Sequence, residues 1–163
     1  VMPGYRGAHL SPHFQVGQFL CKQQAGWPRY VAVSDRLLSK LERLVVLLKA
    51  RGLAVTTLTV MSGYRTPRYN RSLGNVDHSR HIYGDAADIF VDVDGDNVMD
   101  DLDGDGKSTV ADALWLLELF ERDAKAQAIP GGLSAYPATA YHGPFLHIDA
   151  RGTRARWGHQ PLR

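Results

Sequence analysis

Two histidines and one aspartate constrain this chain more tightly than its composition does. In Ser79-Arg80-His81-Ile82-Tyr83-Gly84-Asp85-Ala86-Ala87-Asp88, a neutral imidazole precedes a glycine turn, and a carboxylate follows it on residues 86 to 91, which read as a strand. Gly84 permits the reversal that turns His81 and Asp88 toward one point, and the small Ala86 and Ala87 leave room for close strand packing. A catalytic zinc ion takes three nitrogen or oxygen ligands and leaves one position for water, so a third ligand is expected from another part of the chain. In Phe145-Leu146-His147-Ile148-Asp149, strand alternation puts His147 and Asp149 on one side and Leu146 and Ile148 on the other, which makes His147 the natural candidate.

Other patterns predict what such a site is mounted on. Ser34 precedes Leu37, Leu38, Leu41, Leu44, Val45 and Leu48 at helical spacing, and Gly52 closes the run. Val55 to Met61 reads as a strand that ends at the turn signal Ser62-Gly63, and Pro67 predicts irregular chain beyond it. Ser108 is expected to cap a second helix through Ala113, Leu114, Leu117, Phe120 and Ala124 toward Ile129, and Phe145 to Ala150 reads as a third strand. Helices and strands mix without strict βαβ alternation. The expected class is therefore α+β, with a small, mainly antiparallel sheet flanked by helices.

At 163 residues and 44% hydrophobic, one domain spanning 1–163 is the expectation. Residues 1 to 33 and 131 to 144 carry no readable pattern. Nineteen Lys and Arg against 17 Asp and Glu leave a net charge of +2, too small to imply nucleic-acid binding. The single cysteine, Cys21, excludes an internal disulfide and a thiolate-rich zinc site, and it reads as a buried small hydrophobe. No apolar run approaches the roughly 18 residues that a membrane-spanning helix needs, so no span is expected.

The pattern Ser79-x-His81-x-x-Gly84-x-Ala86-x-Asp88, followed far downstream by His147-x-Asp149, resembles the zinc D-alanyl-D-alanine carboxypeptidase family and its hedgehog-domain relatives. Leu10-Ser11-Pro12-His13-Phe14, Ser62-Gly63-Tyr64-Arg65-Thr66-Pro67, Gly131-Gly132-Leu133 with Tyr136-Pro137, and Arg156-Trp157-Gly158 are similar to its small murein endopeptidase branch. The resemblance implies a hedgehog/DD-peptidase-like fold and one catalytic zinc held by His81, Asp88 and His147. It also implies hydrolysis of peptide bonds in peptidoglycan stem peptides or cross-links, with D,D or L,D and carboxy or endo specificity left open. A periplasmic or extracellular bacterial location follows from that substrate, and a monomer is expected.

By the same resemblance, Arg65 stabilises the oxyanion or grips a substrate carboxylate, Tyr64 beside it contacts substrate, and Ser79 orients a ligand or the substrate. Better-known members of the family place a glutamate three residues before the last histidine ligand. Pro144 stands there in this chain and cannot move a proton, so the general base is expected to be Asp149 or His142. Asp149 could equally fix the imidazole of His147. The missing glutamate also keeps a second reading open, a non-catalytic zinc- and calcium-containing binding module of hedgehog type.

Residues 92–112 are expected to be an inserted calcium-binding loop. In a twelve-residue calcium-loop frame, Asp101, Asp103 and Asp105 take positions one, three and five, with Gly106 at the sharp turn. Lys107 would lend its carbonyl, Thr109 stands at position nine, and Asp112 replaces the usual glutamate at twelve, as in dockerin-like loops. An overlapping frame uses Asp92, Asp94 and Asp96, puts Asn97 at the turn, and reaches Asp100 and Asp103, so that Asp103 would bridge two ions. One or two structural calcium ions are expected.

Overall fold

The computed structural model describes residues 1–160. A short hairpin, β1 (His9–Ser11) and β2 (Phe14–Gln15), precedes helix α1 (Asp35–Ala50), strand β3 (Thr59–Ser62) and helix α2 (Pro67–Ser72). Strand β4 (Ala86–Phe90) is followed by helices α3 (Val110–Glu121) and α4 (Ala124–Gln127), then β5 (Gly132–Tyr136), β6 (Phe145–Asp149) and β7 (Ala155–Arg156). The main sheet has the order β3-β4-β6-β5-β7, antiparallel except for the β5–β7 pair. The α+β class with a mainly antiparallel sheet and flanking helices is thus observed.

Alternation along the central strands separates two chemistries. Ala87 and Ile89 of β4, Leu133 and Ala135 of β5, and Leu146 and Ile148 of β6 enter one hydrophobic core with Leu37, Leu41, Leu44 and Leu48 of α1 and Leu116, Leu117 and Phe120 of α3. Asp88, Ser134, His147 and Asp149 occupy the alternate positions of those strands, and all four are buried. A polar row is thereby buried on a sheet whose other face supplies the hydrophobic stabilisation.

Local chemistry explains where elements begin. Ser34 Oγ accepts from Leu37 N and caps α1 as its sequence predicts, and Gly52 takes φ 85° just past the end. Other expectations need correction. Strand β3 starts at Thr59, because Val55 and Leu58 bury their side chains from an irregular segment before it. Pro67 opens helix α2 instead of irregular chain, since proline at the first helical position loses no hydrogen bond and Thr66 caps the turn.

Thr109 and not Ser108 caps α3, in a reciprocal box with Asp112. That helix stops at Glu121, and Asp123 caps α4 through Ala126 N while pairing with Arg43 of α1. Strand β5 arises within residues 131 to 144, where no pattern is readable, and β7 follows the third strand without being predicted. Cys21 is buried, with its Sγ 3.4 Å from Thr66 N.

Lys40 of α1 is 2% exposed, donates from Nζ to Asp149 O at 2.7 Å, and lies over the Phe120 ring at 5.3 Å. Burial pushes its pKa down from 10.5 to about 8. The folded value lies below the unfolded one, so the folded state binds fewer protons between those values and stability must rise as pH climbs from about 8 toward 10.5. The span corresponds to on the order of 3 kcal/mol. Denaturant unfolding of wild type and Lys40→Met across that range should show the rise in wild type alone; parallel curves would refute a strained buried charge.

Candidate metal centre

Asp88 stands directly opposite His147 where β4 pairs with β6, and Ser134 of β5 lies opposite His147 on its other side. His81 reaches the same point from a 3-10 turn, Arg80–Tyr83, which Gly84 ends in the left-handed region at φ 70°. A Cβ on Gly84 would also lie 2.5 Å from the Ala32 backbone, so torsion and close approach both demand glycine. His81 Nε2 lies 3.3 Å and His147 Nδ1 2.8 Å from the same oxygen, Asp88 Oδ1. The three donor atoms fall within 4.8 Å of one another and could hold one metal ion.

Each donor is fixed by a partner on its far side. Gly63 O can only accept and lies 2.7 Å from His81 Nδ1, so that nitrogen carries the proton and Nε2 offers its lone pair. Asp149 Oδ2 lies 3.3 Å from His147 Nε2, and Asp88 Oδ1 lies 2.8 Å from Nδ1 of the same ring. Arg65 Nη2 donates to Asp88 Oδ2 at 2.7 Å while its Nε donates to Ser62 Oγ at 2.9 Å. His147 therefore meets carboxylate oxygen at both nitrogens but, when neutral, has one proton to share. A metal ion held by His147 Nδ1 and Asp88 would resolve that mismatch by leaving the ring proton on Nε2 for Asp149, and two imidazoles with one carboxylate form a donor set that zinc takes.

Protonation follows the same contacts. Burial pushes the Asp88 carboxyl up, but the electrostatic pull of the adjacent His81 and its hydrogen bond with His147 outweigh it and hold the group well below the usual carboxylate range. Burial acts likewise on Asp149, and hydrogen bonds from His147, Arg151 and Gly132 N overcome it. Burial lowers the pKa of His147, yet its hydrogen bonds to Asp149 and Asp88 leave it raised.

The donors line a cleft of about 520 Å³ together with Arg65, Ser79, Val76, Tyr136, Phe145 and Trp157. Ser79 precedes the His81 turn and makes no capping hydrogen bond there. Tyr64 and His142 are not among the lining residues; Tyr64 N donates to Phe19 O, and the His142 ring packs on Phe145 with centroids 5.0 Å apart. Asp149 is fully buried on the Nε2 side of His147, turned away from the converging donor atoms. That place suits orientation of the imidazole more than abstraction of a proton from a metal-bound water. Arg151 and Trp157 also line the cleft; the sequence offers Trp157 only as part of the Arg156-Trp157-Gly158 motif and gives neither residue a site role.

The aspartate segment forms two loops built alike. Asp92 accepts from Gly95 N and Asn97 N, and Asp101 accepts from Gly104 N and Gly106 N, with Asn97 at φ 64° and Gly106 at φ 80°. Two groups of carboxylates converge, Asp92 with Asp94 and Asp96, and Asp101 with Asp103 and Asp112. Asp103 stands in the second of these groups. Asp100 closes the first loop, accepting from Val93 N at 3.0 Å, as the buried Asp112 accepts from Leu102 N at 2.7 Å in the second. Asp105 accepts from Lys107 N, and the Thr109 hydroxyl is engaged in capping α3.

Comparison with known families finds that a peptidase M15 model matches residues 12–101, a stretch that contains His81 and Asp88 and ends before His147. A comparison with curated proteins finds no match. The tight turn beneath His81 allows a direct check. Gly84→Ala should lower stability by at least about 1 kcal/mol, the usual order for forcing a Cβ into this backbone region. It should also weaken zinc binding in equilibrium dialysis. An alanine variant as stable and as avid as wild type would show that the turn does not hold His81 in place.

Proposed function

This chain belongs to the peptidase M15 family of zinc peptidases, and from that membership we propose that it hydrolyses peptide bonds in bacterial peptidoglycan stem peptides or cross-links, outside the cytoplasmic membrane. The observation that carries the reading is the meeting of His81 Nε2, Asp88 Oδ1 and His147 Nδ1 beside an open cleft lined by Arg65. Zinc, when bound, polarises a carbonyl and makes a coordinated water acidic enough to attack at neutral pH.

The chain's own residues do the rest. His81, Asp88 and His147 would hold the ion and leave its cleft side to water and substrate. Arg65 commits one N–H to Asp88 and another to Ser62, and its remaining N–H groups would stabilise the oxygen that gains charge at the scissile carbonyl. The Ser79 hydroxyl would bind the substrate backbone across the cleft. His142 borders the cleft through Phe145, and an inward shift of its loop would bring its imidazole to the reacting groups as the proton carrier that Pro144 cannot be. The cationic lining suits stem peptides, which carry free carboxylates.

Digestion of purified muropeptides with mass-spectrometric readout tests the reading and identifies the bond cut. Wild type should release new fragments, and His81→Ala should release none. Arg65→Ala should lose about 10²–10³ in kcat, and His142→Ala about 10². Zinc bound tightly by wild type with no fragment cleaved would favour the hedgehog-type binding module, which the proline at position 144 keeps in play.

The two aspartate loops are proposed to bind structural calcium, one ion each, and so to brace the chain between β4 and α3. Eight aspartates lie within residues 92–112, and their mutual repulsion falls when a divalent cation neutralises them. Calcium at about a hundredfold over its dissociation constant should stabilise wild type by about 2.7 kcal/mol. Asp101→Ala should lose the larger part of that gain in thermal scans with and without calcium, and an unchanged melting temperature on adding calcium would rule the sites out.

A further inference from the structure

We infer that Arg151 is a positioning residue for the metal centre, locking Asp149 onto His147 Nε2 so that Nδ1 of that ring is held toward His81 and Asp88. The inference rests on the zinc reading of this site. It starts from how completely Asp149 is enclosed. The carboxylate is 0% exposed and takes hydrogen bonds from Gly132 N at 2.7 Å, Arg151 N at 3.1 Å, Arg151 Nε at 3.0 Å to both oxygens, and Arg151 Nη2 at 2.6 Å. His147 Nε2 is the remaining contact, at 3.3 Å. Four of the five donors therefore do not belong to the imidazole, and two are the guanidinium of a residue two positions along the same chain.

Space around the carboxylate is arranged for that clamp. A Cβ on Gly132 would lie 2.3 Å from Asp149 Oδ2, and one on Gly131 would lie 1.8 Å from Asp149 O, so the Gly131-Gly132 pair is what lets a backbone amide approach the group. On its other side the Arg151 guanidinium stacks over the Trp157 ring at 4.9 Å, and that ring lies 5.2 Å from the His147 ring. Trp157 is itself pinned, donating from Nε1 to the Tyr136 hydroxyl at 2.8 Å. Arg151 thus meets His147 by two routes, through the carboxylate behind the ring and through the indole beside it. A planar fork suits both contacts at once, and a lysine ammonium could reproduce neither the bidentate grip nor the stack.

The test reads the metal and not turnover, since Arg151 also lines the cleft and its loss could disturb substrate directly. Competition of purified protein against a chromogenic chelator measures zinc affinity, and the absorption spectrum of the cobalt-substituted protein reports the geometry around the ion. Arg151→Ala should weaken zinc binding about 10- to 100-fold and shift the cobalt bands, with Arg151→Lys falling between it and wild type. Asp149→Asn should weaken it similarly, and the double variant Arg151→Ala/Asp149→Asn should be no worse than the worse single one, because both act through one contact. Zinc affinity and cobalt bands unchanged in Arg151→Ala, with only the melting temperature lowered, would reduce Arg151 to a structural residue. Should Arg151→Ala fail to fold, the lysine variant decides by the same two readings. Failure of wild type to bind zinc would sink the zinc reading itself, a result separate from equal binding by wild type and variant.

Discussion

One buried carboxylate organises this molecule. Asp88 offers Oδ1 to two imidazoles and Oδ2 to Arg65, so it joins both histidine ligands to the cleft arginine. A carboxylate that deep is unfavourable unless each oxygen is matched, and here the matching groups are the ones the chemistry requires. The same economy extends outward. Gly63 O sets the tautomer of His81, and Asp149 stands behind the far nitrogen of His147, so each ring has an acceptor on its outer side.

The centre was legible from residue types because two histidines and an aspartate flanking glycine have few other uses at that spacing. Strand alternation also placed His147 and Asp149 on one face and Leu146 and Ile148 in the core, as the sheet has them. What lay beyond reading was direction within a side chain. No pattern tells which imidazole nitrogen faces which carboxylate, so the sequence leaves Asp149 open as base or as prop, and only the structure puts the His147 ring between it and Asp88. Strand β5 escaped because its inward residues are Leu133 and Ala135, and a glycine and a serine fill its outward positions. Helix α2 escaped because proline breaks a helix in the middle yet starts one well.

The aspartate loops illustrate the opposite case, in which the written pattern is plain and the backbone adds what it omits. Position counting names carboxylates at fixed intervals, and two of them, Asp100 and Asp112, accept from Val93 N and Leu102 N, the amides of the second residue of each loop. Hydrogen-bond closure of this kind is invisible in a count of residues.

Asp88 and His147 face each other across one rung of the β4–β6 ladder, flanked along each strand by Ala87, Ile89, Leu146 and Ile148. Since successive side chains leave a strand on opposite faces, sliding either strand by a single residue would bring its apolar groups onto the polar face and drive its ligand into the helices' side of the sheet. Correct pairing of these two strands and the meeting of Asp88 with His147 are consequently the same event.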